Sequence, residues 1–183
     1  FGSRGGGKSA VRRVGAPLDT LLLRNRSHRS FDAAVAVTRE QLLRIIGVNT
    51  KLPSARNQQV HRFRPVIDAA EVEAVLANIR LGVALPELHL PPEGKEPRAF
   101  IVVCTTQPET RFVDIDLGIS VQSMLLKAVE MGLNGICICA FNRAAVTEAL
   151  QLPCEPLAIV AIGRGDDRIR LVPIHEGDSQ TYY

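Results

Sequence analysis

The chain has 183 residues, 46% of them hydrophobic and 22% charged, with a formal net charge of +3. That length suits one domain able to bury a core, and the composition is ordinary for a soluble globular protein. The small charge, the scattered Lys and Arg and the absence of Trp argue against a nucleic-acid surface, which needs basic residues clustered with aromatics. No apolar run reaches membrane-spanning length, and the N-terminus shows no apolar segment of a secretory signal. Three of the four cysteines, Cys104, Cys137, Cys139 and Cys154, lie in or beside apolar runs, where a free thiol behaves as a small hydrophobe. Nothing implies a disulfide framework, so a reducing, cytoplasmic compartment is expected.

Residues 1–16 are rich in Gly and Arg, lack hydrophobic periodicity and read as a flexible leader or a non-native remnant, with residues 17–183 forming a single domain. The stretch Gly2 to Ser9 fits the P-loop pattern letter for letter, but only Phe1 precedes it. A working P-loop follows a buried strand that holds its amides in a rigid nest, so nucleotide binding is not expected here. A helix is predicted over Leu18–Arg24, delivering the loop Arg26-Ser27-His28-Arg29. Thr38 and Gln41 make a capping box for a helix that buries Leu42, Leu43, Ile45 and Ile46. Pro53 breaks the chain and presents Ser54 to Gln59. Asp68 caps a helix with the apolar stripe Val72, Val75, Leu76 and Ile79.

Residues 81–98 hold several prolines and read as irregular. Ala99–Cys104 is an apolar run of strand length. A helix near Asp116–Met131 buries Leu117, Val121, Leu125 and Ala128 and turns Ser120, Ser123, Lys127 and Glu130 outward. A short strand Ile136–Cys139, a helix capped by Asn142 and ending at Leu150, and a buried strand Leu157–Ile162 complete the order. The alternation is too uneven for a regular doubly wound sheet, and an α+β layered domain is expected.

Two segments carry the chemistry. Arg26-Ser27-His28-Arg29-Ser30-Phe31 places two guanidiniums and a hydroxyl within four residues, a grip suited to phosphate. Taken alone, the same residues also describe a solvated basic loop at a helix C-terminus. Pro53-Ser54-Ala55-Arg56-Asn57-Gln58-Gln59 pairs small residues with amides that donate and accept, as a heterocycle with an imide edge requires. Phosphate at one end and an imide at the other describe FMN.

With these segments, three more carry a resemblance: Asp116-Leu117-Gly118 opening a helix with Gln122, Gly132-Leu133-Asn134-Gly135 leading to Ile138-Cys139-Ala140-Phe141, and the strand Leu157 to Gly163. In that order and spacing, from about Leu21 to Ile174, the chain resembles the nitroreductase family, FMN-dependent NAD(P)H oxidoreductases. The resemblance implies a three-layer sandwich, a mainly antiparallel sheet flanked by helices, and a homodimer with FMN sites at the subunit interface. It implies that Arg26, Ser27 and Arg29 hold the phosphate, that Pro53, Ser54, Ala55, Asn57 and Gln59 form the flavin segment, and that Asn57 meets the pyrimidine edge. Backbone N–H at Cys139 and Ala140 would approach flavin N5. The implied reaction is ping-pong hydride transfer from NADH or NADPH through flavin to a small acceptor such as a nitroaromatic or quinone, with no catalytic acid, base or nucleophile in the protein.

The chain departs from the family pattern at Asn25, often Arg, at Val60-His61, often Pro and an aromatic residue, and at Cys139, usually Gly. Relatives continue past the region of Tyr182-Tyr183 into a tail with a Lys/Arg cluster, whose loss would weaken FMN binding and the dimer. Other readings are a flavin-binding or sensory protein with little turnover, another flavin reaction such as dehalogenation or flavin fragmentation, or an interaction protein without cofactor. Cys137 and Cys139 share a face on a strand. A structural zinc site needs four ligands, usually in two pairs, and His28, His61, His89 and His175 supply no second pair. Arg164-Gly165-Asp166 reads as a turn after a strand.

Overall fold

Six consecutive buried residues, Phe100 to Thr105, form the centre of the fold. In the computed structural model, which describes residues 15–180, they form one strand of a four-stranded sheet. The strands are β1 (His61–Val66), β2 (Phe100–Thr105), β3 (Asn134–Ile138) and β4 (Glu155–Gly163). The helices are α1 (Leu18–Arg24), α2 (Arg39–Ile46), α3 (Ala69–Leu76), α4 (Arg111–Glu130) and α5 (Arg143–Leu150). The sheet runs β1-β2-β4-β3 with every neighbouring pair antiparallel. None of these helices is long and apolar enough to cross a membrane. The P-loop-like stretch Gly2 to Ser9, most of the expected leader and Tyr182-Tyr183 lie outside the described residues.

Side-chain alternation divides the core into two layers. Phe100, Val102, Ile159 and Ala161 face one way and pack on Val72 and Val75 of α3 and Val146 and Leu150 of α5. Ile101, Val103, Val160 and Ile162 face the other way, onto Leu42 and Ile45 of α2 and Met124, Leu125 and Ala128 of α4. The result is an α+β sandwich of three layers, an antiparallel sheet between helices, as the sequence led us to expect.

Local signals explain most boundaries. Both bonds of the capping box form: Gln41 N–H donates to Thr38 Oγ1 at 3.2 Å and Thr38 N–H to Gln41 Oε1 at 2.8 Å. Asp68 caps α3 through the N–H groups of Ala70 and Glu71, and Asn142 caps α5 through that of Ala145. Five expectations need correction. Leu43 is 49% exposed, so only Leu42 and Ile45 of its helix enter the core fully. β1 was not foreseen, because Arg62, Arg64 and Pro65 interrupt any apolar pattern; as an edge strand it tolerates the missing N–H of Pro65. α4 begins at Arg111 under a Thr110 cap, so Asp116 lies in its second turn instead of opening it. Ser120, expected outside, is buried and donates to Asn49 Oδ1 at 2.5 Å. β3 also ends at Ile138, leaving Cys139 just beyond the strand.

Gly135 of β3 is packed closely against both the neighbouring strand and α4. A Cβ there would meet the carbonyl oxygen of Ala161 at 2.5 Å and Leu125 Cδ2 at 2.8 Å. A backbone oxygen cannot swing away, so Gly135→Ala is expected to destabilise the fold by about 1–3 kcal/mol through overpacking. Urea unfolding checks this: the midpoint should fall, and an unchanged midpoint would show that β3 relaxes freely.

Candidate functional site

The loop after α1 is clamped from several sides. Arg26 donates from Nε to Asn25 O at 2.6 Å and from Nη2 to Leu22 O at 2.7 Å, satisfying carbonyls at the end of α1. His28 N–H donates to Gly135 O at 3.2 Å, and Arg29 Nη1 reaches Ser27 O at 3.3 Å. Asn25 Nδ2 donates to Gln122 Oε1 at 3.2 Å, tying the loop to the middle of α4. Ser27 is exposed, and with Asn25, Arg26, Gln122, Leu125 and Gly135 it lines a cavity of about 270 Å³.

Asp167 is the hub of this loop. Its carboxylate accepts from the N–H groups of Arg29 at 2.7 Å and Ser30 at 3.1 Å and from Ser30 Oγ at 2.9 Å. His28 Nδ1 lies 3.3 Å away, close enough for an ion pair but without hydrogen-bond alignment. The imidazole covers Gly165 so closely that a Cβ there would lie 2.1 Å from Nδ1. Burial pushes the His28 pKa down, against the opposing pull of Asp167. Arg164-Gly165-Asp166 is part of the same clamp: Asp32 N–H donates to Arg164 O, Asp166 N–H to Ser30 O, and Lys95 pairs with Asp166 at 2.7 Å.

The second segment rests on another carboxylate. Both oxygens of buried Asp116 accept from Ala55 N–H, at 3.0 and 2.9 Å. Ser54 Oγ accepts from Gln59 N–H at 3.1 Å, and Gln59 Nε2 donates to Asn57 Oδ1 at 2.8 Å. Arg56, Asn57 and Gln59 all have φ near +50°, the left-handed conformation that single Asn residues tolerate best. The turn leaves Arg56, Asn57 and Gln59 exposed, and Pro53, Ser54 and Gln59 line a cavity of about 290 Å³ with Asn49, His61 and Asp116. His61 has a pKa lowered by burial, with Asp116 and Asp114 opposing, and its buried Nε2 has no partner among the described residues.

Cys139 and Ala140 are exposed after β3, where Ala140 O accepts from Arg80 N–H at 2.8 Å. No group of three or more metal-ligating side chains occurs among the described residues. Each expected segment is therefore presented at the surface, but one chain does not gather them. Arg26 and Ser27 line one cavity beside Gln122, and Pro53, Ser54 and Gln59 line another beside Asp116. The two anchor points on α4 are roughly 9 Å apart along the helix axis. Sequence reasoning missed the anchoring roles of Asp167 and Asp116; a paired Asp166-Asp167 following a buried strand was the available signal for the first.

Two outcomes are expected. Asp116→Ala leaves the Ala55 N–H without its acceptor and should cost about 1–3 kcal/mol of stability, with faster proteolysis at residues 53–59; unchanged cleavage would show the turn to be held otherwise. The second concerns pH. Buried His28 and half-buried His61 both have folded pKa values below the ordinary 6.5, so the unfolded chain binds more protons in that window. Stability is complete above 6.5 and declines as pH falls towards the lowered folded values. His28→Asn should reduce the slope of melting temperature against pH between about 7.5 and 5.5; an unchanged slope contradicts it.

A sequence profile of the Nitroreductase family matches residues 22–164. No curated protein matches the chain. Solved structures of similar fold include a nitroreductase family protein from Clostridium novyi NT, 21% identical, with TM-score 0.69, covering 83% of this chain and 87% of that one. A nitroreductase family protein from Clostridium difficile 630 is 21% identical at TM-score 0.69, covering 92% of this chain and all of that one. The FMN and NADPH-dependent nitroreductase NfnB from Sphigopyxis sp. strain HMH is 20% identical at TM-score 0.70, covering 91% of this chain and all of that one. At such identities the structures speak for the fold alone, while the profile spans most of the chain. The chain belongs to the nitroreductase family.

Proposed function

We propose that this protein is an FMN-dependent oxidoreductase that passes hydride from NADH or NADPH through flavin to a small oxidising acceptor such as a nitroaromatic or quinone. The observation that carries the reading is the pair of surface segments with complementary chemistry along α4: guanidiniums and a hydroxyl at Arg26, Ser27 and Arg29, amides at Asn57 and Gln59. The donor set fits FMN. Among the described residues Arg26 Nη1 has no partner, Ser27 is exposed, and the Asn57 amide nitrogen remains available beside its engaged oxygen. Similarity to the FMN and NADPH-dependent nitroreductase fold supports the same cofactor.

The redox chemistry would be supplied by flavin when bound. The protein binds and orients. Arg29, fixed by Asp167 through its backbone, would neutralise negative charge on the reduced ring or the phosphate. Asn57 would read the pyrimidine edge, and the exposed backbone at Cys139 and Ala140 would donate to the ring. Because one chain keeps the two segments in separate cavities, we place each site between two copies. Exposed Leu18, Leu22 and Leu23 of α1 with Phe112, Ile115 and Ile119 of α4 offer an apolar face for a homodimer. The four free cysteines fit a reducing cytoplasm.

A flavin-binding role with little turnover is favoured by one observation: Asn25 is committed to Gln122, and Arg26 spends two donors on α1. Both readings meet in one experiment, in which FMN is added, excess removed, and NADH or NADPH supplied anaerobically. The oxidoreductase predicts retained flavin absorbance that bleaches with at least one nucleotide, and Arg29→Ala should lower retention at least ~10-fold, the equivalent of one charge-assisted bond. Retained flavin that neither nucleotide bleaches assigns a binding role; no retention overturns both.

A further inference from the structure

The thiols of Cys137 and Cys139 belong to neither core layer. Both residues are exposed on the outer edge of the sheet, with Ile136 and Ile138 buried on the opposite face. Their Sγ atoms stand 4.0 Å apart. Residues two apart on a strand have Cα atoms about 6.6–6.8 Å apart, at the outer limit of disulfide geometry, roughly 4.4–6.8 Å. The ladder with β4 ends at Ile138, so Cys139 is not held in register, and the backbone after Ile138 is where the pair would close to bonding distance.

We propose that Cys137 and Cys139 form a reversible dithiol–disulfide couple that exchanges with low-molecular-weight disulfides. Cys139, exposed and beyond the end of the strand ladder, is the freer of the two thiols and is the attacking group. Although Cys137 as a residue is exposed, desolvation of its sulfur and Cys139 beside it push its thiol up to about 12, so it carries little thiolate. Cys139 thiolate attacks one sulfur of RS–SR, forming a mixed disulfide and releasing RS⁻, which takes a proton from solvent. Cys137 loses its proton and attacks Cys139 Sγ, forming the Cys137–Cys139 bond and expelling the second RSH. Two protein thiols are oxidised and one disulfide is reduced to two thiols. Near the limit of reach, the product bond is strained and readily reduced again. Cys104 is excluded by burial, which pushes its thiol up to about 11.

The test is a thiol map of the full chain after incubation with oxidised glutathione, acid quenching, alkylation and peptide mass analysis. The couple predicts joint loss of alkylation at Cys137 and Cys139, two of the four thiols, in a peptide lighter by two hydrogens and free of glutathione. Dithiothreitol should restore both, and Cys137→Ser should accumulate a glutathione adduct on Cys139. A stable adduct on Cys139 in the wild-type chain with Cys137 still alkylatable overturns the proposal. So does modification confined to Cys154. The wild-type map decides the matter even if the variant fails to fold.

Discussion

Burial of β2 and β4 on both faces is the constraint from which the rest follows. A strand that is apolar along most of its length cannot leave one side to water, so helices must cover the sheet above and below. Phe100 and Ile101, adjacent in sequence, end in different core layers for that reason. Covering the second face demands a long helix, and α4 supplies it with Val121, Met124, Leu125 and Ala128. The same helix then becomes the rail along which both candidate binding segments are fixed, one at Asp116 and one at Gln122.

Those attachments are polar and partly dry. Asp116 and Asp167 each accept backbone N–H donors from a loop distant in sequence. A carboxylate in that role rigidifies a loop without using the loop's own side chains, which stay available to a ligand. Ser27, Asn57 and Gln59 remain at the surface because backbone amides beside them, and not their side chains, make the long-range anchoring bonds. Arg26 is the exception, since two of its donors close the end of α1.

The legible part of the chain was the part governed by local chemistry. Thr38, Asp68 and Asn142 announced their helices because a cap acts within three residues. β2 and β4 were evident as unbroken apolar runs. β1 was hidden because its stability comes from pairing with β2, not from its own pattern of Arg62, Arg64 and Pro65. Ser120 was misjudged because its burial depends on Asn49, a partner no helical periodicity reveals. The segments of the candidate site were readable as chemistry. Their division between separate cavities was not, because it depends on where α4 carries each one.

The central claim is that one flavin site draws on two chains, and subunit mixing tests it most directly. Arg29→Ala and Asn57→Ala chains, each defective in flavin retention alone, would be co-expressed and isolated as a mixture. Random pairing leaves one intact site in each mixed dimer, so retention should recover to about a quarter of the wild-type level. No recovery, with mixed dimers present by mass, would contradict a site shared between subunits.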